Sequence, residues 1–552
     1  MPPVKEGFDV HQVETATALG EADLTVVDAD VAEMRTHKGS PIVHMSSSES
    51  DLSKRILVKK LPAKKNPFLT IGLLGANASS ISRINELFIE AGCKMGYKDD
   101  QDHPDYIAIA HLPSLDIKSK FKYSLELLKD LGCQSVFIDI PGIDKKSEIY
   151  KYAELLGLRV LFTGKDYNRN SSDEVGDILS EEIDKALSDR DRENFRSYNP
   201  QEIQLSESVC EALQSRKERI MGSLSKKVDK YKFIKEYVGV IGGAGPQASA
   251  NHCKYLAQEG LPFIHYSLNC APGKHRFETG VGPSYIPFYD FVTSIFDKLG
   301  ISQITIPCNT AHKRLEEYCS PSTLQKVVDI RRSSFEEIAK YSGAARPQAI
   351  ILGTDFTVGV TSARYLPKVT RSLDSEHASH KKDDGQVERR LQLLKADPHS
   401  LACVGGALEQ EGFFLGSYQK FANENSFLIK LYPPTSPQMQ DDVLKIIYDV
   451  KAGKDLKCQQ SLLSIIKSIR DHIGDRDGEV PVILACTELP LALSQSQMME
   501  NNCIDPSFMA ASQAYRKFIE SKTLTSSSVS VSCFSRAVDH AAAKKQDLLL
   551  SS

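Results

Sequence analysis

No run of apolar residues in this chain approaches the roughly 20 that a membrane span requires. The longest, such as TIGLLGA and VPVILAC, fall far short, which argues against a membrane partner. There is no excess charge of either sign, with 68 basic residues against 72 acidic ones, so nothing favours a nucleic-acid or anionic-membrane partner. The first residues, MPPVKEGFDVHQVETATALGEADL, are acidic and lack the basic-then-apolar order of a secretory leader. They also lack the Arg-rich, acid-poor look of a transit peptide. The 12 cysteines include no CxxC pair, which speaks against a disulfide framework or a zinc site and for reduced thiols in a cytoplasmic protein. Most of them, Cys133 and Cys253 included, read as small buried apolar residues.

What is present are two segments of unusual form. ITIPCNTAH carries Cys308 and VILACTELPLAL carries Cys486. In each, an apolar, β-branched run stops at a cysteine followed by hydrogen-bonding residues. Such a run reads as a buried parallel strand that delivers a thiol to the loop at its C-terminal end. Ligand sites of open α/β sheets lie at that edge. Two matching strand ends predict a pair of acid–base groups facing each other across a cleft. A helix starting at Thr310 or Ala311 would stabilise a thiolate at Cys308 and lower its pKa. Asn309, Thr310, Thr487 and Glu488 offer hydrogen bonds beside the sulfurs. His312 either polarises this site or is structural.

At 552 residues the chain suits about three domains. Residues 1–66 read as a disordered tail, being polar and Ser- or Lys-rich in HMSSSES and KKLPAKKNP. Beyond it the sequence repeats itself. Gly72 and Gly239 open similar strands, 167 residues apart; KDLG at 129 and DKLG at 297 are 168 apart; Pro141 and Pro307 are 166 apart; Val160 and Val327 are again 167 apart. Gly142 stands in the first copy where Cys308 stands in the second, so residues 67–190 read as a chemically silent lobe. Apolar stripes at Ile178, Leu179, Ile183, Ala186 and Leu187, and at Leu205, Val209, Leu213, Ile220, Leu224 and Val228, predict two amphipathic helices. The second stripe falls in a helical linker over 191–234. From Tyr237 on, strands and helical patterns alternate, predicting an α/β fold of doubly wound parallel sheets. The charged stretch 368–397 reads as part of a surface insertion over about 366–403, and residues 526–552 as a C-terminal tail. Gly243 and Gly245, in GGAGP, lie in a tight turn between a strand and a helix, better suited to a carboxylate than to a dinucleotide.

Residues 237–525 resemble the aspartate/glutamate racemase family of cofactor-independent, two-cysteine enzymes. The matching pieces are GVIGGAGPQAS, IPCNTAHK, a GT-containing strand turn, YPPTSPQMQDDVLKIIYDVKAG, ACTELPL and IDPSFMAA, in family order and over about half the chain. The first copy is also similar to that family's first lobe. The resemblance implies two similar α/β lobes, over 235–525, with the active site between them and a degenerate lobe in front. It implies Cys308 and Cys486 as the catalytic pair, with no pyridoxal phosphate or metal needed. The substrate would be a small molecule, an acidic amino acid such as aspartate or glutamate, and a homodimer is possible. Gly243, Gly245, Arg276, Asn309, Thr310, Thr487 and Glu488 are the candidate substrate-binding residues. Two segments compete for one family element: 351–365, with the GT signature and Thr354, and 404–421, which lies closer to YPPTSPQ. Two alternatives stay open: an isomerase or decarboxylase acting on a dicarboxylic acid, or a non-catalytic ligand-binding protein.

Overall fold

The computed structural model describes residues 24–28, 43–45, 55–59, 70–75, 81, 105–111, 117–140, 146–163, 207–242, 246–268, 271, 284–341, 347–360, 416–451 and 455–525. Within the segment read as a tail, β1 (Leu24–Asp28), β2 (Val43–Met45) and β3 (Arg55–Lys59) form an antiparallel sheet with β3 in the middle. LTVVD and RILVK carry the β-branched residues that favour a pleated surface.

Three α/β units follow, and each orders its strands alike. The first has β4 (Thr70–Gly75), β5 (Asp105–Ala110), helix α1 (Ile117–Asp130), β6 (Ser135–Asp139), α2 (Glu148–Leu155) and β7 (Arg159–Thr163). A long helix, α3 (Glu207–Lys227), and a 3-10 turn (Val228–Glu236) lead on. The second has β8 (Val238–Gly242), α4 (Pro246–Gln258), β9 (Phe263–Ser267), α5 (Ile286–Leu299), β10 (Gln303–Thr305), β11 (Val327–Val328) and α6 (Ile330–Tyr341). The third has β12 (Gln348–Gly353), α7 (Asp355–Val358), α8 (Ser417–Glu424), β13 (Lys430–Tyr432), α9 (Pro437–Lys451), α10 (Asp455–Ile473), β14 (Val482–Ala485), β15 (Cys503–Ile504) and α11 (Pro506–Thr525). In all three the spatial order is second, first, third, fourth strand: β5-β4-β6-β7, β9-β8-β10-β11 and β13-β12-β14-β15.

Within each unit the strands are parallel, as helical crossovers require. The first two units join edge to edge through β5 and β9, which run antiparallel with Ala108 opposite His265. The result is one eight-stranded sheet whose two halves point their C-terminal strand ends in opposite directions. The KDLG and DKLG landmarks have a local cause. Helices α1 and α5, 14 residues each, are followed by Gly132 (φ 92°) and Gly300 (φ 72°). In that left-handed conformation a side chain is strained.

Burial alternates across the sheets with the period of two that strands impose. In the long sheet Leu74, Ile107, Ile109, Ile241 and Ile264 face α1, α3 and α5, whereas Ile71, Leu73, Ala108, Val238 and Val240 face α4 and α11. Of the stripe expected on the linker helix, Leu213, Ile220 and Leu224 are buried in the core that both halves share. The stripe at 178–187 lies outside the described residues, as do the insertion at 366–403 and the tail at 526–552. Arg216 of α3 is buried at the seam of the two halves. It donates to Tyr266 Oη at 2.7 Å on β9 and to Thr70 Oγ1 on β4, and lies 3.6 Å from the Asp105 carboxylate on β5.

The last helices of the second and third units are exchanged. Phe335 and Ile338 of α6 pack on Ala349, Ile351, Ile483 and Ala485 of the third unit's sheet. In return Ala510, Ala511 and Ala514 of α11 pack on Val238, Val240 and Leu256 of the second. Polar bonds follow the same course: Tyr255 Oη to Asp505 at 2.8 Å, and His252 Nδ1 with Ser507 Oγ at 3.0 Å. Among the described residues no helix is long and apolar enough to cross a membrane.

Candidate active site

The third strand of a unit is where the cysteines come from. β10 ends at Thr305, and Ile306 and Pro307 lead to Cys308. β14 ends at Ala485, and Cys486 follows at once. Both thiols are buried, 8% and 9% exposed. The two loops touch: Thr487 Oγ1, beside Cys486, donates to the carbonyl of Pro307, beside Cys308, at 3.4 Å. Strand ends far apart in sequence thus meet where the second and third units face each other.

The Cys308 loop is held from several sides. His312 Nδ1 donates to the Cys308 carbonyl at 2.9 Å, and its Nε2 accepts from the Ile330 N–H at 3.5 Å. With both ring nitrogens so engaged the ring is neutral, and burial pushes its pKa below the usual histidine range. His312 therefore buttresses the loop backbone, the structural one of its two expected roles. Asn309 is 2% exposed, and its Oδ1 accepts from Tyr418 Oη at 2.6 Å. Its amide Nδ2 is buried with no partner among the described residues. A buried donor left unpaired costs about 1–3 kcal/mol, so this one suits a bound acceptor. Thr310 Oγ1 lies 3.2 Å from Thr354 Oγ1, which in turn lies 2.9 Å from Thr357 Oγ1.

The two segments that compete in sequence both reach this place. Thr354 ends β12 and caps α7, while Tyr418 sits on α8. Gly416 explains how they fit. A Cβ there would overlap the backbone of Val358 and Gly359, so only glycine lets the chain come in against α7 at that point. Ser417 Oγ beside it and Gln440 Oε1 of α9 are further buried polar atoms without a partner among the described residues. Gln440 Nε2 is anchored to the Gly353 carbonyl and the Asp355 carboxylate, both at 2.9 Å. Tyr418, Ser417 and Gln440 are absent from the residues expected by sequence. Tyr418 lies in the second of the competing segments, and Gln440 in YPPTSPQMQ.

The Cys486 loop is charged. Cys486 Sγ donates to Glu488 Oε2 at 2.9 Å, and the other carboxylate oxygen lies 3.6 Å from Lys451 Nζ at the end of α9. Burial, and then the Glu488 charge, push the Cys486 thiol well above its ordinary pKa. Short 3-10 turns follow the cysteines directly, Thr310–Arg314 and Leu489–Ala492, too short to build a helix dipole. Glu488 stands on the sulfur itself.

Gly243, Gly245 and Arg276 lie outside the described residues. Gly242, just before that turn, is required by packing. A Cβ on it would overlap His265 Nε2 and Ser249 Oγ. Among the described residues no group of three or more His, Cys, Asp or Glu is placed to hold a metal ion.

No family model matches the chain, and no curated protein matches it. Among solved structures it is similar to a Picrophilus torridus aspartate racemase, at 18% identity and a TM-score of 0.33, covering 51% of this chain and 94% of that one. It is also similar to a putative Asp/Glu racemase from Yersinia pestis, at 14% identity and a TM-score of 0.34, covering 51% of this chain and 99% of that one.

Proposed function

We propose that this chain is an amino-acid racemase that inverts aspartate or glutamate between Cys308 and Cys486 without a cofactor. The observation that carries the reading is the Thr487–Pro307 bond, which sets two cysteine loops of equivalent origin against each other. The sequence motifs around the cysteines support the substrate class.

In this reading the substrate's α-carbon lies between the two sulfurs. A thiolate on one side takes the α-hydrogen as a proton: the C–H bond breaks and an S–H bond forms. The electron pair moves into the α-carboxylate. The opposite thiol then gives its proton to the other face of the carbon, leaving a thiolate. One proton enters and one leaves, with the configuration inverted. The α-hydrogen is very weakly acidic, so the site must stabilise the extra charge on the carboxylate with donors already in place. Asn309 Nδ2 and the Thr310 and Thr354 hydroxyls are the residues we assign to that task. The first unit, with the same strand order and no cysteine at the third strand end, is in this reading a degenerate copy of the second.

The test is α-proton exchange by NMR in D2O with L-aspartate, L-glutamate and neutral amino acids. Exchange with inversion of an acidic amino acid, lost in both Cys308→Ser and Cys486→Ser, is the expected result. A folded protein that exchanges no amino acid would overturn the reading in favour of dicarboxylate chemistry or simple binding.

A further inference from the structure

The two cysteine loops differ in what meets the sulfur. At Cys486 the hydrogen-bond partner is a carboxylate, and it is a well-fixed one. Glu488 is 3% exposed. One of its oxygens, Oε2, accepts from Cys486 Sγ at 2.9 Å and lies 3.4 Å from Thr487 Oγ1; the other faces Lys451 Nζ at 3.6 Å. Gln247 Nε2 of α4 donates to the main-chain carbonyl of Lys451 at 3.2 Å. Glu488 and Lys451 are the charged groups facing this sulfur.

We propose that Glu488 is a positioning residue that keeps the resting proton on Cys486, so that the free protein holds Cys486 as the acid and leaves Cys308 to act as the base. The inference rests on the two-thiol reading above. An ionised carboxylate only accepts hydrogen bonds. It binds the Cys486 thiol and repels the thiolate. The cycle that starts from this state moves a substrate proton onto Cys308 and the Cys486 proton onto the product. It ends with a thiolate pressed against the carboxylate. The resting state returns when Cys486 takes a proton from water and Cys308 releases one.

The enantiomer that points its α-hydrogen at Cys308 meets the resting form. Its mirror image meets the rarer form, with the proton on Cys308. Two enantiomers have equal free energies, so kcat/KM is the same in both directions for any variant. The bias appears instead as unequal kcat and unequal KM in the two directions.

The experiment is alkylation by iodoacetamide across the pH range, on the full chain, with the Cys308 and Cys486 peptides followed separately by mass spectrometry. Wild type is compared with Glu488→Gln and Lys451→Met. Glu488→Gln is expected to lower the Cys486 midpoint by at least about one pH unit, which is about 10-fold faster alkylation at pH 8. Cys308 should change less than about twofold. Lys451→Met is expected to slow Cys486. Equal or slower alkylation of Cys486 in a natively folded Glu488→Gln, or faster alkylation in Lys451→Met, would overturn the proposal. Alkylation needs no turnover, so this result is independent of whether the protein racemises anything. Where it does, the ratio of kcat values for the two directions moves toward one in Glu488→Gln, and an unchanged ratio refutes the assignment.

Discussion

The first and second units share a strand order, a 14-residue helix before the third strand and a left-handed glycine close behind it. They differ at the end of that third strand and in what stands opposite it. The second unit delivers Cys308 there and faces the third unit, with Thr487 against Pro307. The first has Gly142 in the matching sequence position. Because β5 and β9 run antiparallel, its C-terminal edge points the other way, away from that cleft. In the reading proposed above, the same strand layout becomes a site only where it supplies the thiol and also has an opposed partner. A fold places residues and leaves their chemistry open.

The largest effect expected to sharpen this contrast is chemical. Cys308→Ser and Cys486→Ser should each lower racemisation by at least about 10² to 10⁴-fold, read by polarimetry or NMR. Ser124→Ala, which removes the hydroxyl 3.1 Å from His111 Nε2 in the first unit, should leave kcat within about twofold.

Acid should act on both halves together. Burial lowers His111 in the first unit to about 3, and His252 and His265 in the second to about 4 and about 3. The unfolded chain takes up these protons near pH 6.5, whereas the folded chain takes them up only some units lower. Stability therefore falls as pH drops from about 6.5 toward 4, by up to about 1.4 kcal/mol per pH unit for each group. Thermal melts over that range should show it, and a melting temperature that holds steady would contradict it.

Next in size is the seam. Arg216→Met strips the cation from buried Asp105 and a donor from Tyr266 and Thr70. Breaking a buried pair of this kind costs about 3–5 kcal/mol. Melting should shift down while kcat, measured on the protein still folded, stays. A loss of kcat at unchanged melting temperature would show that the first unit takes part in the chemistry.

The smallest effect is expected at Tyr418→Phe. It frees the Asn309 amide, whose Oδ1 the phenol holds at 2.6 Å. A loss of about 1 kcal/mol, roughly fivefold, should appear in kcat more than in KM.

Much of the arrangement was legible in the residues. Apolar runs ending at Cys308 and Cys486 announce buried strands with reactive ends, and both thiols do sit at third-strand ends. The antiparallel join of β5 to β9 was not legible, because both strands read alike whichever neighbour they pair with. Tyr418 shows the other gap. A tyrosine in SYQKF carries no sign of what its side chain touches; only packing reveals that it holds the Asn309 amide. The helix expected from Thr310 or Ala311 is a 3-10 turn over Thr310–Arg314 instead.

The exchange of α6 and α11 has a mechanical consequence. Each wall of the cleft is partly built from the other wall's chain, like two clasped hands. Swinging the walls wide apart would mean peeling Phe335 and Ile338 off one sheet and Ala510, Ala511 and Ala514 off the other. The cleft is therefore stiff against gaping and yields more readily to small sliding motions.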